Sequence, residues 1–232
     1  MRRSARTAAL VAAAVVAVGV AGVWWSHRAQ RPGEPGPSAA ETSPDYDAAR
    51  TQLAALPVQR WDPRRDYQRG RFGERWSDDV NVADGHNGCN TRDDILRRDL
   101  TEVRLRPGTC LVQHGVLHDP YTGQTIEFTR GPESSESVQI DHLVSLSDAW
   151  YKGARSWDDQ RRRDFANDPR NLLAVSGPAN FDKAYHDAAG WLPPNTGFHC
   201  EYVSRQVAVK TGYHLAVSAR EKNALRAVLG SC

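Results

Sequence analysis

Residues 138–190 carry three consecutive local signals that leave few folding options: "VQIDHLVSL", then "NLLAV", then "SGPANFDKAYHDAAG". Val138, Ile140, Val144 and Leu146 recur at the two-residue period of a half-buried strand. Leu172–Val175 is a short apolar run after Asn171 and reads as a second strand. The third segment is punctuated as a helix: Ser176 or Gly177 can cap it, Pro178 suits its first turn, and Gly190 follows its last residue before "LPP". The spacing predicts two strands and then a helix over Pro178–Ala189. Strict alternation would send Asp141 and His142 to opposite faces of the first strand. That strand must bend, end or twist near Asp141 if both side chains serve one site.

The residue types in these segments have complementary chemistry. The carboxylate of Asp141 and the amide oxygen of Asn180 are hard ligands, suited to Mg²⁺ or a similar divalent ion that keeps several waters and accepts phosphate oxygens. His142, with an ordinary pKa of about 6.5, can take a proton from water near neutral pH when a neighbour fixes its tautomer. Asn171 is the candidate for that neighbour. At about 100° per residue, a helix groups Asn180, Lys183, Ala184 and Asp187 on one face and turns His186 about 120° away. His186 is therefore left out of the site. A lone Asp-His pair is usually an accident of a strand end; the ordered set with Asn171, Asn180 and Lys183 points to a metal-dependent phosphodiesterase.

The stretch "IDHLVSLSDAW…FANDPRNLLAVSGPANFDKAYHDAAGWLPP" resembles the HNH endonucleases, most closely the secreted bacterial HNH-family proteins related to the C-terminal domain of the GmrSD restriction endonucleases. The resemblance runs from about "CNTRDDILRRDL" to the final cysteine and implies a ββα-metal module around one divalent cation. It matches Asp141 to the acidic metal ligand, His142 to the general base, Asn171 to the asparagine that fixes the histidine, and Asn180 to the helix residue completing the metal site. Lys183 matches a basic residue one turn on, with a role beside the reacting phosphate, and Asp187 an acidic one after it.

Upstream, Arg2, Arg3 and Arg6 precede about 18 uncharged, mostly apolar residues from Ala8 to Trp25. Residues 1–28 read as a signal peptide or signal anchor, so the chain is expected to be secreted or held on the outer face of the membrane by that segment alone. Residues 29–45, rich in Pro, Gly, Ser and Ala, read as a flexible linker, and 46–232 as the folded domain. The arginines of residues 1–45 account for the formal net charge of +2, leaving the domain near neutral. Any contact with nucleic acid must then come from a local patch, for which Arg92, Arg170 and Arg205 are candidates. The run Arg161–Arg163 lies beside Asp158, Asp159 and Asp164 and reads as a solvated helix face.

In an exported chain, four cysteines favour two disulfides, expected as Cys89–Cys110 and Cys200–Cys232 among three connectivities. The competing arrangement is a structural zinc site drawn from His86, Cys89, Cys110, His114 and His118. Further helices are expected near Tyr46–Leu56 and Thr91–Leu100, from a Ser156/Asp159 cap through Phe165, over Cys200–Thr211 with Gly212 as a stop, and after a Ser218/Glu221 capping box. "CLVQHG" and "TIEFTR" should form a hairpin through "DPYTG".

The expectation is one α+β domain of about 187 residues: a ββα-metal module at about 138–190, flanked by helices and a small hairpin, with two disulfides. Its implied activity is that of an exported endonuclease using one divalent ion, Mg²⁺ first with Mn²⁺ or Zn²⁺ as alternatives, on nucleic acid, DNA before RNA. No protein partner can be inferred. The alternative is a non-catalytic extracellular DNA-binding module on the same fold. Another kind of exported hydrolase has neither "HExxH" nor "GxSxG" to recommend it.

Overall fold

Side-chain caps decide where most helices begin in the computed structural model, which describes residues 46–60, 62, 64–131 and 136–232. α1 (Asp47–Ala55) has no such cap and is held by Ala49 and Leu53 in the core. Asn90 opens α2 (Thr91–Asp99), Ser145 opens α3 (Leu146–Tyr151), Asp158 opens α4 (Asp159–Asn167) and Ser176 opens α5 (Gly177–Lys183). Each accepts a hydrogen bond from a backbone N–H that the first turn leaves unpaired. α6 (His199–Tyr213) is again uncapped, and Ser218 and Glu221 form the expected capping box of α7 (Ala219–Gly230).

Five strands complete the described residues. β1 (Leu100–Leu105), β2 (Val112–His118) and β3 (Thr125–Thr129) form an antiparallel sheet in that order. β4 (Val138–His142) pairs antiparallel with β5 (Leu172–Ser176), with Asp141 opposite Leu173 and His142 opposite Leu172. Leu173 and Val175 enter a core with Leu53 of α1, Val203 and Val207 of α6, and Leu225 of α7. Val138, Ile140, Leu172 and Ala174 enter a second core with Ile95 and Leu96 of α2 and Leu117 and Phe128 of the sheet. The β4–β5 pair is thus covered on both faces, and every residue of β5 is buried. A third core joins Phe72 to Leu146, Trp150, Phe165 and Tyr213. At Gly177 the turn into α5 passes so close to the start of β4 that a Cβ would lie 1.9 Å from the Glu136 carbonyl oxygen.

The architecture is the expected α+β one, and both disulfides form as Cys89–Cys110 and Cys200–Cys232. No cysteine thiolate is left for the zinc arrangement. Several boundaries differ from expectation. β4 ends at His142, and Leu146 opens α3 instead of extending the strand. The cap of α4 is Asp158, because Ser156 belongs to a preceding 3₁₀ turn. α6 runs through Gly212 and stops at His214, whose left-handed φ of 56° closes the helix. α5 ends at Lys183, six residues early, where Ala184 turns the chain with φ 48°. β1 was not anticipated: only Leu100 in it is buried, so it lacks a legible apolar face. The expected signal segment and linker at 1–45 lie outside the described residues, among which no helix is long and apolar enough to cross a membrane.

Candidate active site

Because β4 stops at His142, alternation is kept and both Asp141 and His142 still border one cleft. That cleft, of about 450 Å³, is also lined by Tyr67, Arg69, Ser145, Asn180 and Tyr185. Asp141 is buried on the α6 side of the strand pair. Its Oδ2 accepts the Tyr121 hydroxyl, and its Oδ1 accepts Lys183 Nζ at 2.9 Å. Burial, reinforced by Asp141, pushes the Tyr121 phenol well above its usual pKa, so it stays a neutral donor.

His142 is half-buried on the opposite side, stacked on the Trp76 indole with ring centroids 5.8 Å apart and planes 11° apart. Its Nε2 lies 2.9 Å from the Ala166 carbonyl oxygen. A carbonyl can only accept, so Nε2 carries the proton and Nδ1 keeps its lone pair. Burial lowers the imidazole pKa to about 4, outweighing the Ala166 carbonyl and Asp141, which favour the cation. The ring is neutral at neutral pH, and Nδ1 is the basic atom it offers.

Among the described residues no hydrogen bond joins the Asn171 side chain to that ring, which the sequence expectation had it fix. Asn171 is fully buried and clamps the chain two residues on: its Oδ1 accepts Val144 N–H at 2.8 Å, and its Nδ2 donates to the Val144 carbonyl at 3.2 Å. Lys183 is also corrected. It is fully buried, donates to the His142 carbonyl at 2.8 Å as well as to Asp141, and does not border the cleft. Its ammonium meets the end of β4 and not the cleft. Gln206 takes the Leu143 carbonyl at 2.7 Å, so three successive residues after Asp141 have backbone groups held by buried side chains. Asn180 borders the cleft; its Nδ2 donates to Gln139 at 2.8 Å, which leaves Oδ1 free. His186 is exposed and outside the cleft, as expected. Asp187, expected on the same face as Asn180, lies beyond the end of α5 and pairs with Lys152.

None of the candidate arginines lines the cleft. Arg92 donates to the Val138 carbonyl and Arg205 to the Leu172 carbonyl, at the first residues of β4 and β5. Arg170 is exposed but clamped on Asp168. Of the run expected as a solvated face, Arg162 is buried and Arg163 pairs with Asp79.

The unit around the cleft is two antiparallel strands and a capped helix, carrying a carboxylate, a neutral imidazole and an amide oxygen. The family described as GmrSD restriction endonucleases, C-terminal domain, matches residues 90–228. The chain belongs to that family. An uncharacterized secreted protein of Arthroderma benhamiae is 35% identical to it over 191 residues, covering 82% of this chain and 87% of that protein. No solved structure matches it. The family match to this GmrSD C-terminal domain begins at Asn90, so Tyr67, Arg69 and Trp76 reach the site from upstream of it. Sequence reasoning missed all three, together with Tyr121. The available signal was "YQRGRFGERW", where aromatics alternate with arginines as nucleic-acid-contacting segments do.

Proposed function

We propose that this domain is an exported, metal-dependent endonuclease that hydrolyses phosphodiester bonds, with DNA the first substrate to test and RNA the second. The observation that carries the reading is His142: a neutral imidazole whose Nε2 is tied to a backbone carbonyl and whose Nδ1 is left open, on a cleft shared with Asp141 and Asn180.

A divalent ion would be held by Asp141, whose oxygens keep lone pairs beyond those given to Tyr121 and Lys183, and by Asn180. Asp141 and Asn180 Oδ1 offer two hard oxygens, and no group of three His, Cys, Asp or Glu is placed to hold a metal among the described residues. Two protein ligands and a water-rich shell suit Mg²⁺ or Mn²⁺ better than Zn²⁺. When bound, the ion would polarise the scissile phosphate and stabilise the leaving 3′ oxygen. His142 Nδ1 would take the proton of the attacking water as its oxygen bonds to phosphorus and the bond to the 3′ oxygen breaks, leaving 5′-phosphate and 3′-hydroxyl ends. Lys183 and Tyr121 would fix the Asp141 carboxylate, while Asn171 and Gln206 would hold the chain beyond His142.

Export is supported by the basic, then apolar, N-terminal run, by two disulfides, and by the secreted relative. The test is nicking of supercoiled plasmid by the oxidised protein with Mg²⁺, Mn²⁺ or EDTA, beside His142→Ala. The reading expects metal-dependent nicking that the variant loses. Salt-sensitive binding without scission would replace it with the binding module.

A further inference from the structure

Among the described residues, Arg69 is the one arginine bordering the cleft of Asp141 and His142. It opens a 3₁₀ turn, Arg69–Phe72, anchored by the fully buried Phe72 in the core with Trp150 and Phe165. Four residues beyond Phe72, Trp76 stacks on the His142 ring. The segment is thus pinned against the site just downstream of Arg69.

One nitrogen of the Arg69 guanidinium lacks a partner among the described residues. Nη1 is closed off from solvent and makes no hydrogen bond, and no carboxylate pairs with Arg69 among the described residues. The nearby upstream acids are engaged elsewhere: Asp62 by Arg64 and Arg155, Asp66 by Arg155 and the Trp150 indole. Burial, with Arg75 adding to it against Tyr67, lowers the Arg69 pKa from its usual value. A desolvated cation with an unfilled donor is costly unless an anion completes it.

We propose that Arg69 is a phosphate-binding residue of this site, supplied by the upstream segment and donating to a non-bridging oxygen of the nucleic-acid phosphate held beside His142 Nδ1. The proposal deepens the nuclease reading and rests on it for the identity of the ligand. The fork of a guanidinium suits two oxygens of one phosphate, which an ammonium cannot match.

The experiment uses the full oxidised chain as wild type, Arg69→Gln, Arg69→Lys and, as a control exposed on α7, Arg226→Gln. Anisotropy of short labelled DNA and RNA oligonucleotides is measured in EDTA across a salt series, with melting temperatures and plasmid nicking alongside. Arg69→Gln is expected to weaken binding by about 10-fold and to reduce the slope of log affinity against log salt by about 0.7–0.9. Its melting temperature should stay unchanged or rise, because the half-buried charge that is removed leaves no protein partner unpaired among the described residues. Arg69→Lys should restore the slope and only part of the affinity.

Affinity and slope equal to the Arg226→Gln control would overturn the phosphate site, even if His142-dependent nicking survives. Unfolding of Arg69→Gln, or no binding of either nucleic acid by the wild type, would overturn it too. Arg69-dependent binding by a wild type that cuts nothing would uphold the phosphate site and remove the nuclease.

Discussion

Two charged regions of this domain are built on opposite rules. Behind α3, Lys152, Lys210 and Glu221 are buried and pair with each other and with the half-buried Asp148 and Asp187. Lys152 meets all three acids, and Lys210 meets Asp148 at 2.6 Å and Glu221 at 2.8 Å. At the cleft, by contrast, Arg69 Nη1 is buried without a partner, and His142 Nδ1 and Asn180 Oδ1 make no hydrogen bond among the described residues. Buried ionic groups that only hold a fold must satisfy one another, since each unpaired one costs several kcal/mol. Groups left open at a cleft keep their capacity for something the chain does not contain.

The largest expected effect breaks the paired region. Glu221→Ala takes one carboxylate from Lys152, which keeps Asp148 and Asp187, leaves Lys210 with Asp148 alone, and removes the reciprocal half of the α7 capping box. It should cost about 3–5 kcal/mol in denaturant unfolding, while the rate of cleavage per folded molecule is retained. A loss below about 1 kcal/mol would mean that the network is worth no more than a surface ion pair.

Asn171→Ala sharpens the contrast from the other side. Asn171 contributes no open group; it satisfies both backbone atoms of Val144. Its removal should cost about 1–3 kcal/mol and slow cleavage by letting the segment after His142 relax. Slow cleavage at unchanged stability would instead give Asn171 direct contact with the reaction.

The smaller effect is in pH. For Asp148, burial alone would raise the pKa, but Lys210 and Lys152 outweigh it and hold the carboxyl below its ordinary 3.8. Its stabilisation is present above that value and is lost as the pH falls through the folded pKa. For Lys152, burial is outweighed by Asp148, Glu221 and Asp187, and the pKa lies above its ordinary 10.5. That stabilisation is full below 10.5 and is lost as the pH rises through the folded pKa. Melting temperature against pH should fall at both ends, and Glu221→Ala should blunt the alkaline fall.

Much of this was legible along the chain. The β2–β3 hairpin and the Ser218/Glu221 box are each written in a few adjacent residues, and the two disulfides join cysteines near in sequence, which is why they survive. What was not legible depends on contacts distant in sequence. Lys152 and Lys210 look like ordinary helix-face charges until α3, α6 and α7 are packed. Lys183 looked like a substrate contact because a helix face places it beside Asn180. Yet α5 ends there, and the ammonium turns in to Asp141 and the His142 carbonyl. The Arg69 and Trp76 contribution is carried by a segment with little regular structure and hence no period to read. The arginines that looked suited to phosphate were the ones claimed by carbonyls and carboxylates.

The central claim, a neutral His142 whose Nδ1 lone pair is left open at the cleft, is tested most directly by nitrogen NMR of the imidazole in the metal-free oxidised protein. The account predicts a pyrrole-like, protonated Nε2 and a pyridine-like Nδ1 at neutral pH, with the ring still neutral well below the ordinary histidine value, toward its pKa of about 4. A protonated Nδ1, or an imidazolium at neutral pH, would contradict it.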